Sequence, residues 1–213
     1  MLLNVVDTTR LLDKHGIPLP QWFCSNDRQE LVEAARILRK PWALKLASPD
    51  ATHKTDKGLV VLNLREENAL ANAFDELQRR SAGLKVDCSL VQEQLYGTEF
   101  IIGGKKDSSF GQTILFGLGG TLTELYKDFS IRVTPVDEAE AAKMIAETKA
   151  AVFTKPEGFR GKKASERALA DVLAKTSKLL EENPQITELD FNPVIANEQG
   201  AWVADARIVV ENA

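Results

Sequence analysis

Cysteine is scarce in this chain of 213 residues: Cys24 and Cys88 are the only two, and no CxxC spacing exists. They fit neither a disulfide framework nor a cysteine zinc site. Reduced thiols in a cytoplasmic protein are the expected state. No apolar run approaches the ~18–20 residues that span a bilayer. The N-terminus, MLLNVVDTTRLLDKHG, carries charges within a helical pattern and lacks the apolar stretch and cleavage site of a secretory signal. Basic charge is not in excess either. With 31 acidic and 27 basic residues the net charge is −4, which removes the electrostatic case for general nucleic-acid binding. There is no GxGxxG and no GxxxxGK[ST], so neither a Rossmann fingerprint nor a P-loop is present. Internal repeats and low-complexity segments are absent as well.

What remains is an ordinary globular composition, 44% hydrophobic and 27% charged, with chain enough for a sizeable core and one to two domains. Val5 to Lys14 reads as a helix ending near Gly16. The two prolines of IPLPQWF (17–23) force an extended segment. Ser25, Asn26 and Asp27 offer an N-cap for a helix to about Arg39. WALKLAS (42–48) and GLVVLNL (58–64) read as strands flanking the polar loop SPDATHKTDKG. Residues 66–82 carry Leu70, Ala73, Phe74 and Leu77 at helical spacing. Two strands, 85–95 and 98–105, join at Tyr96-Gly97. A short apolar strand at 112–116 leads into GLGG. Helices follow at 137–149 and 165–182, then a hairpin, 186–196 and 201–210, around Asn197–Gly200. Strands and helices alternate at first and strands dominate later. That predicts an α/β (α+β) fold with a first lobe over 1–88 and a second over 89–213.

The closing hairpin carries the sharpest signal. Glu188, Asp190 and Asn192 lie two apart in a strand and share one face. If the turn centres on Glu198-Gln199, facing residues have numbers summing to about 397. Asn192 then faces Asp205, and Asp190 faces Arg207, unless the register slips by one. Two carboxylates and an amide oxygen at that density suit Mg²⁺ held jointly with nucleotide phosphates. The alternative is a solvated polar face with an Asp190–Arg207 ion pair.

Three further features stand out. His53, in Thr52-His53-Lys54-Thr55-Asp56, has no helix end or apolar pattern to account for it. It could be a general base, a metal ligand, a phosphoryl acceptor or simply an exposed loop histidine. His15, by contrast, sits at a helix C-terminus, where a cation is mildly favourable. Lys45 lies inside an apolar strand, so it faces a cleft or an anion, or guards a sheet edge. Phe116-Gly117-Leu118-Gly119-Gly120 could offer backbone N–H groups to phosphate or make a tight structural turn.

Taken together, four stretches resemble a known family in order and spacing: LLDKHGIPLP, ALKLASPDATHKTDKGLV, LVQEQLYGTEFIIGGKKDSSFGQTILFGLGGTLTELYKDFSIRVTP and ELDFNPVIANEQGAWVADARI. The chain looks like the ATP-grasp nucleotide-binding subunit or domain of the NDP-forming acyl-CoA synthetases. ADP-forming acetyl-CoA synthetase is the nearest member, and succinyl-CoA synthetase is a more distant relative. The resemblance implies an ATP-grasp fold of two lobes clamping a nucleotide, with ADP or ATP as substrate and Mg²⁺ as cofactor. Lys45 matches the phosphate-contacting strand lysine, Glu93 and Leu95 the inter-lobe hinge that meets the adenine, and Glu99 the carboxylate near the ribose. Asn192 and Asp205 match the magnesium ligands, Asp190 the acidic residue beside them, and His53 the histidine that relays a phosphoryl group. Arg132 is a candidate phosphate contact or a surface ion pair. A neutral imidazole for the relay is available at pH 7, given a histidine's ordinary pKa of ~6.5. The chain departs from the family at one point: after Gly58, Leu59 stands where a second glycine is usual, which bears on the flexibility of the phosphate-covering loop.

The resemblance also implies what this chain lacks. Acyl-CoA chemistry in the family belongs to a CoA-binding alpha subunit, or a fused domain, carrying another phosphohistidine. A partner subunit, in an α2β2 assembly, is therefore expected, and the whole first helix and final strand suggest a small subunit rather than an excised domain. The implied reaction is acyl-CoA + ADP + phosphate ⇌ carboxylic acid + CoA + ATP. Two other readings compete: a regulatory ATP-grasp module of a protein acyltransferase, and an ATP-grasp carboxylate–amine ligase, which needs no phosphohistidine.

Overall fold

Asn4 starts the first helix, α1 (Val5–Lys14), by accepting the Asp7 N–H on its side-chain oxygen at 2.9 Å. Gly16, at φ 63°, ends it. The computed structural model describes residues 1–49, 58–119 and 128–211. The chain divides into two compact units, one of Pro20–Leu95 and one of Met1–Leu19 with Tyr96–Ala213.

The 20–95 unit contains β1 (Trp22–Ser25), α2 (Arg28–Ala35), β2 (Trp42–Ala47), β3 (Val60–Leu64), α3 (Glu67–Arg80) and β4 (Cys88–Glu93). Asp27 caps α2 through the N–H groups of Gln29 and Glu30. That helix ends at Ala35, a turn short of the expected Arg39. The sheet order is β1-β4-β2-β3, with every pairing antiparallel. The early alternation of strand and helix therefore builds an α+β unit rather than a parallel α/β sheet. Trp42, Leu44, Leu46 and Val91 form the sheet's side of a core with Leu31, Leu70, Phe74 and Leu77.

Leu59 belongs to this core at 1% exposure, and its carbonyl accepts the Leu46 N–H at 3.0 Å. The residue that breaks the family's glycine pair is thus a packing residue here. Leu59→Ala is expected to cost about 2–5 kcal/mol of stability, the range for emptying a buried leucine site. Denaturant unfolding followed by tryptophan fluorescence checks this, and an unchanged midpoint would contradict the packing role.

The other unit adds to α1 the strands β5 (Thr98–Asp107), β6 (Gly111–Leu118) and β7 (Phe129–Val133). The helices α4 (Glu138–Ala146) and α5 (Glu166–Glu182) follow, with a 3-10 turn, Lys149–Phe153, between them. The unit closes with β8 (Ile186–Asn197), β9 (Gly200–Val203) and β10 (Ala206–Val210). The six-stranded sheet runs β10-β8-β5-β6-β7, with β9 also pairing β8. Phe100, Ile102, Ile114, Phe116 and Phe191 share a core with Leu12 of α1 and Leu169, Leu173 and Leu180 of α5.

Two expectations change. The lobe boundary expected at 88/89 gives way to Leu95/Tyr96, because β4 pairs with β1 and β2, while β5 pairs with β6 and β8. Residues 1–19 also group with the 96–213 segment, where Leu3 N–H donates to Ile208 O and Val203 N–H to Pro18 O. Strand β7 had not been anticipated.

Candidate functional site

The hairpin has the register expected from the sequence. Asp190 pairs with Arg207 and Phe191 with Ala206, and the same offset runs on to Val194–Val203 and Asn197–Gly200. Asn197 anchors the turn: its Oδ1 accepts the Gln199 N–H at 2.8 Å, and its Nδ2 donates to Tyr96 O at 2.9 Å. Leu189, Phe191 and Ile208 face the core, so Asp190 faces the opposite side of the sheet.

An irregularity sits at the centre of this group. Ile102 pairs with Phe191 but Phe100 with Val194, so Asn192 and Pro193 together oppose Ile101. This is a β-bulge, and bulges re-aim side chains. The partner arm breaks at the same level, since β9 ends at Val203 and β10 begins at Ala206. Across the break, Asn192 N–H donates to Asp205 O at 3.2 Å and Ala204 N–H to Pro193 O at 3.0 Å. Asn192 and Asp205 are therefore direct neighbours, both half-buried, with half-buried Asp190 beside them. In β5, Gly103 lies opposite Asp190 and places no side chain beside it. Glu99 is exposed on the same sheet face, and its carbonyl accepts the Gly119 N–H at 2.9 Å.

Among the described residues, no three of His, Cys, Asp and Glu group together as a metal site. Asp190, Asn192 and Asp205 supply two carboxylates and one amide oxygen. That donor set is hard and incomplete, as suits Mg²⁺, which keeps waters and takes phosphate oxygens beside one or two carboxylates.

The glycine-rich turn has a steric reason. A Cβ on Gly117 would stand 2.5 Å from Phe129 Cδ1, and one on Gly119 would stand 2.5 Å from Phe100 O. Close packing accounts for both glycines. Gly120 lies outside the described residues, as does His53, so the proposed relay histidine has no described position.

In the 20–95 unit, Lys45 is half-buried in β2, between Leu90 of β4 and Val60 of β3. It lies on the face opposite the core residues Leu44 and Leu46. Because β2 is an interior strand, an edge-guarding role for Lys45 is ruled out. Glu93 closes β4, and its Oε1 accepts the Arg39 N–H at 3.0 Å. Leu95, half-buried, is the last residue of this unit.

Arg132 takes the ion-pair alternative. Its guanidinium meets Glu147 at 2.6 Å and Glu140 at 2.7 Å, and also donates to Ser130 Oγ at 3.2 Å. The two glutamates raise its pKa, while Arg132 and the Ser130 hydroxyl hold the Glu147 carboxyl below its usual range. The group fastens β7 to α4. It also explains why β7 was missed: its polar residues turn toward α4, while Ile131 and Val133 are exposed.

Sequence reasoning also missed Gln94 and Asn63, whose side chains pair within the 20–95 unit. The available signal was an asparagine inside an apolar strand, a residue type that tolerates left-handed backbone.

The chain is similar to known proteins along nearly its whole length. The ATP-grasp domain family matches residues 1–210. The beta subunit of acetate–CoA ligase [ADP-forming] I from Pyrococcus furiosus is 34% identical over 210 residues, covering 96% of this chain and 90% of that subunit. Acetate–CoA ligase [ADP-forming] II from Archaeoglobus fulgidus is 36% identical over 211 residues, 99% of this chain but 30% of that longer protein. Among solved structures, an acetyl-coenzyme A synthetase 1 of Candidatus Korarchaeum cryptofilum, in complex with coenzyme A and Ca-AMPCP, superposes with a TM-score of 0.92. The two are 36% identical, over 99% of this chain and 93% of that one.

Proposed function

Because the chain belongs to the ATP-grasp family, in the branch of the ADP-forming acyl-CoA synthetases, we propose that it is the nucleotide-binding part of such a synthetase. The overall reaction would be acyl-CoA + ADP + phosphate ⇌ carboxylic acid + CoA + ATP. The observation that carries this reading is the adjacency of Asn192 and Asp205, with Asp190 beside them, at the bulge of β8.

In this reading Asp190, Asn192 and Asp205 hold Mg²⁺ together with the phosphates of ADP. Bound there, the ion would offset charge that develops on the phosphoryl oxygens. Lys45, a half-buried cation on an interior strand, meets the phosphates. Glu93 and Leu95 meet the base, with the backbone of residues 93–95 and Leu95 foremost. Glu99 meets the ribose. Arg132, saturated by two carboxylates, has no part in binding.

His53 carries the phosphoryl group. In the ATP-forming direction the N–P bond of phosphohistidine breaks as an oxygen of the ADP β-phosphate forms a new P–O bond. The ring's other nitrogen carries a proton, so the N–P electron pair returns to the ring and neutral imidazole is released. Catalysis then rests on positioning and on electrostatic stabilisation of the transferred group.

A separate CoA-binding chain, in an α2β2 assembly, supplies the acyl chemistry and the first phosphohistidine. The name of the Pyrococcus relative, a beta subunit, supports that division. Among the described residues no helix is long and apolar enough to cross a membrane, and no disulfide joins Cys24 and Cys88. A reducing cytoplasm suits both.

The test is reconstitution. The purified chain with acetyl-CoA, ADP, phosphate and Mg²⁺ is expected to make no ATP, and addition of a CoA-binding alpha subunit from this family to restore synthesis. ATP formation by the chain alone would contradict the need for a partner.

A further inference from the structure

Residues 93–95 close the 20–95 unit, and the first two are pinned from several directions. Glu93 N–H donates to Gln21 O at 3.0 Å, and Gln94 N–H donates to Pro41 O at 2.9 Å. The Glu93 carboxylate accepts the Arg39 N–H at 3.0 Å. The Gln94 side chain turns to β3, where Oε1 accepts the Asn63 N–H at 2.6 Å and Nε2 donates to Asn63 Oδ1 at 3.2 Å. Among the described residues, the Leu95 peptide N–H has no hydrogen-bond partner.

Asn63 is an unusual strand residue. Its φ is +61°, in the left-handed region. Trp42 pairs with Leu64 but Leu44 with Val61, so Leu62 and Asn63 together oppose Ala43 in a second bulge. A bulge leaves a backbone group out of the ladder. Here the Asn63 N–H turns to Gln94. Backbone strain of this kind persists where surrounding contacts over-determine it, often near functional sites. The two amides form a cyclic clasp between the bulge and the last turn of chain before Leu95.

We propose that Gln94 and Asn63 are positioning residues for nucleotide-base recognition: their clasp holds the 93–95 backbone so that the Leu95 peptide is fixed where it reads the base. The inference rests on the nucleotide-binding reading above. Without the clasp, residues 94 and 95 regain backbone freedom that must be lost again on binding. The penalty falls on the base and not on the phosphates.

The test compares full-length wild type with Gln94→Met, Gln94→Glu and Asn63→Gly by calorimetric titration. The probes are ADP, GDP and inorganic pyrophosphate, each with Mg²⁺. Gln94→Met is expected to weaken ADP about tenfold, the scale of freeing roughly one residue. Pyrophosphate affinity should stay the same, and the ratio of ADP to GDP affinity should move toward one. Asn63→Gly keeps the left-handed backbone and the N–H while losing Oδ1, so it falls between wild type and Gln94→Met. So does Gln94→Glu, which keeps the acceptor for the Asn63 N–H. Equal weakening of ADP and pyrophosphate would mark general destabilisation and overturn the inference, as would unchanged ADP binding. Wild type that binds pyrophosphate but shows no gain from the base would overturn it too. Wild type that binds none of the three would overturn the nucleotide reading beneath it, and the inference with it.

Discussion

Replacing His53 with alanine is expected to lower ATP synthesis by the reconstituted complex ~10⁴-fold or more, the scale for removing a covalent nucleophile. Mg²⁺-dependent ADP affinity should stay within about twofold, because binding is assigned to Lys45, the 93–95 backbone, Glu99 and the β8–β10 carboxylates. The split between turnover and binding is what separates the relay from a supporting role. A structural histidine would lose both together, and a bystander would lose neither. A second readout is direct. Wild type incubated with ATP labelled at the γ-phosphate should acquire acid-labile label, and His53→Ala should not. Turnover at the wild-type rate in the variant would remove the relay. The carboxylate–amine ligase alternative would then regain its place, since that chemistry proceeds through an acyl phosphate.

Asp205→Asn is expected to weaken ADP binding about 100-fold when Mg²⁺ is present, and hardly at all when it is absent. The substitution keeps size and one oxygen but removes a charge from a donor set with only two carboxylates. Even residues that merely support metal ligands are worth ~10–100-fold in metal affinity, so loss of a ligand falls at or beyond that range. Asp190→Asn should have a smaller effect, because Asp190 also lies opposite Arg207 in the ladder. The fold should survive both, since Asp190 and Asp205 lie outside the hydrophobic core. An isotherm for Asp205→Asn that overlays wild type in Mg²⁺ would reject the metal assignment.

The closing hairpin was legible because its register depends on one local feature. Asn197 and Gly200 fix a tight turn, and from there the facing pairs follow by counting as far as Val209–Glu188, beyond which the register shifts. The bulge at Asn192 and Pro193 was not legible, because it is defined against β5, nearly a hundred residues away in sequence. Helix α1 was predicted to its exact ends from its helical pattern and the glycine beyond it, but nothing in it says that residues 1–19 group with the distant 96–213 segment. The lobe boundary was misplaced for the same reason: the apolar runs of β4 and β5 look alike, and only pairing assigns them to separate sheets. Strand β7 shows strict alternation, yet its inward residues are Ser130 and Arg132, satisfied by Glu140 and Glu147. Lys45 was ambiguous until the strand order placed β2 in the interior of its sheet. The glycines of FGLGG offered two meanings, and the close approach of Phe100 and Phe129 gives Gly117 and Gly119 a packing reason.

The most direct measurement is calorimetric titration of the wild-type chain with ADP, with and without Mg²⁺, and with GDP as the comparison. The account predicts saturable 1:1 binding of ADP that requires Mg²⁺ and discriminates between the bases. Binding of equal strength without the metal, or none with it, would contradict the assignment of Asp190, Asn192 and Asp205 as the metal–nucleotide site of this chain.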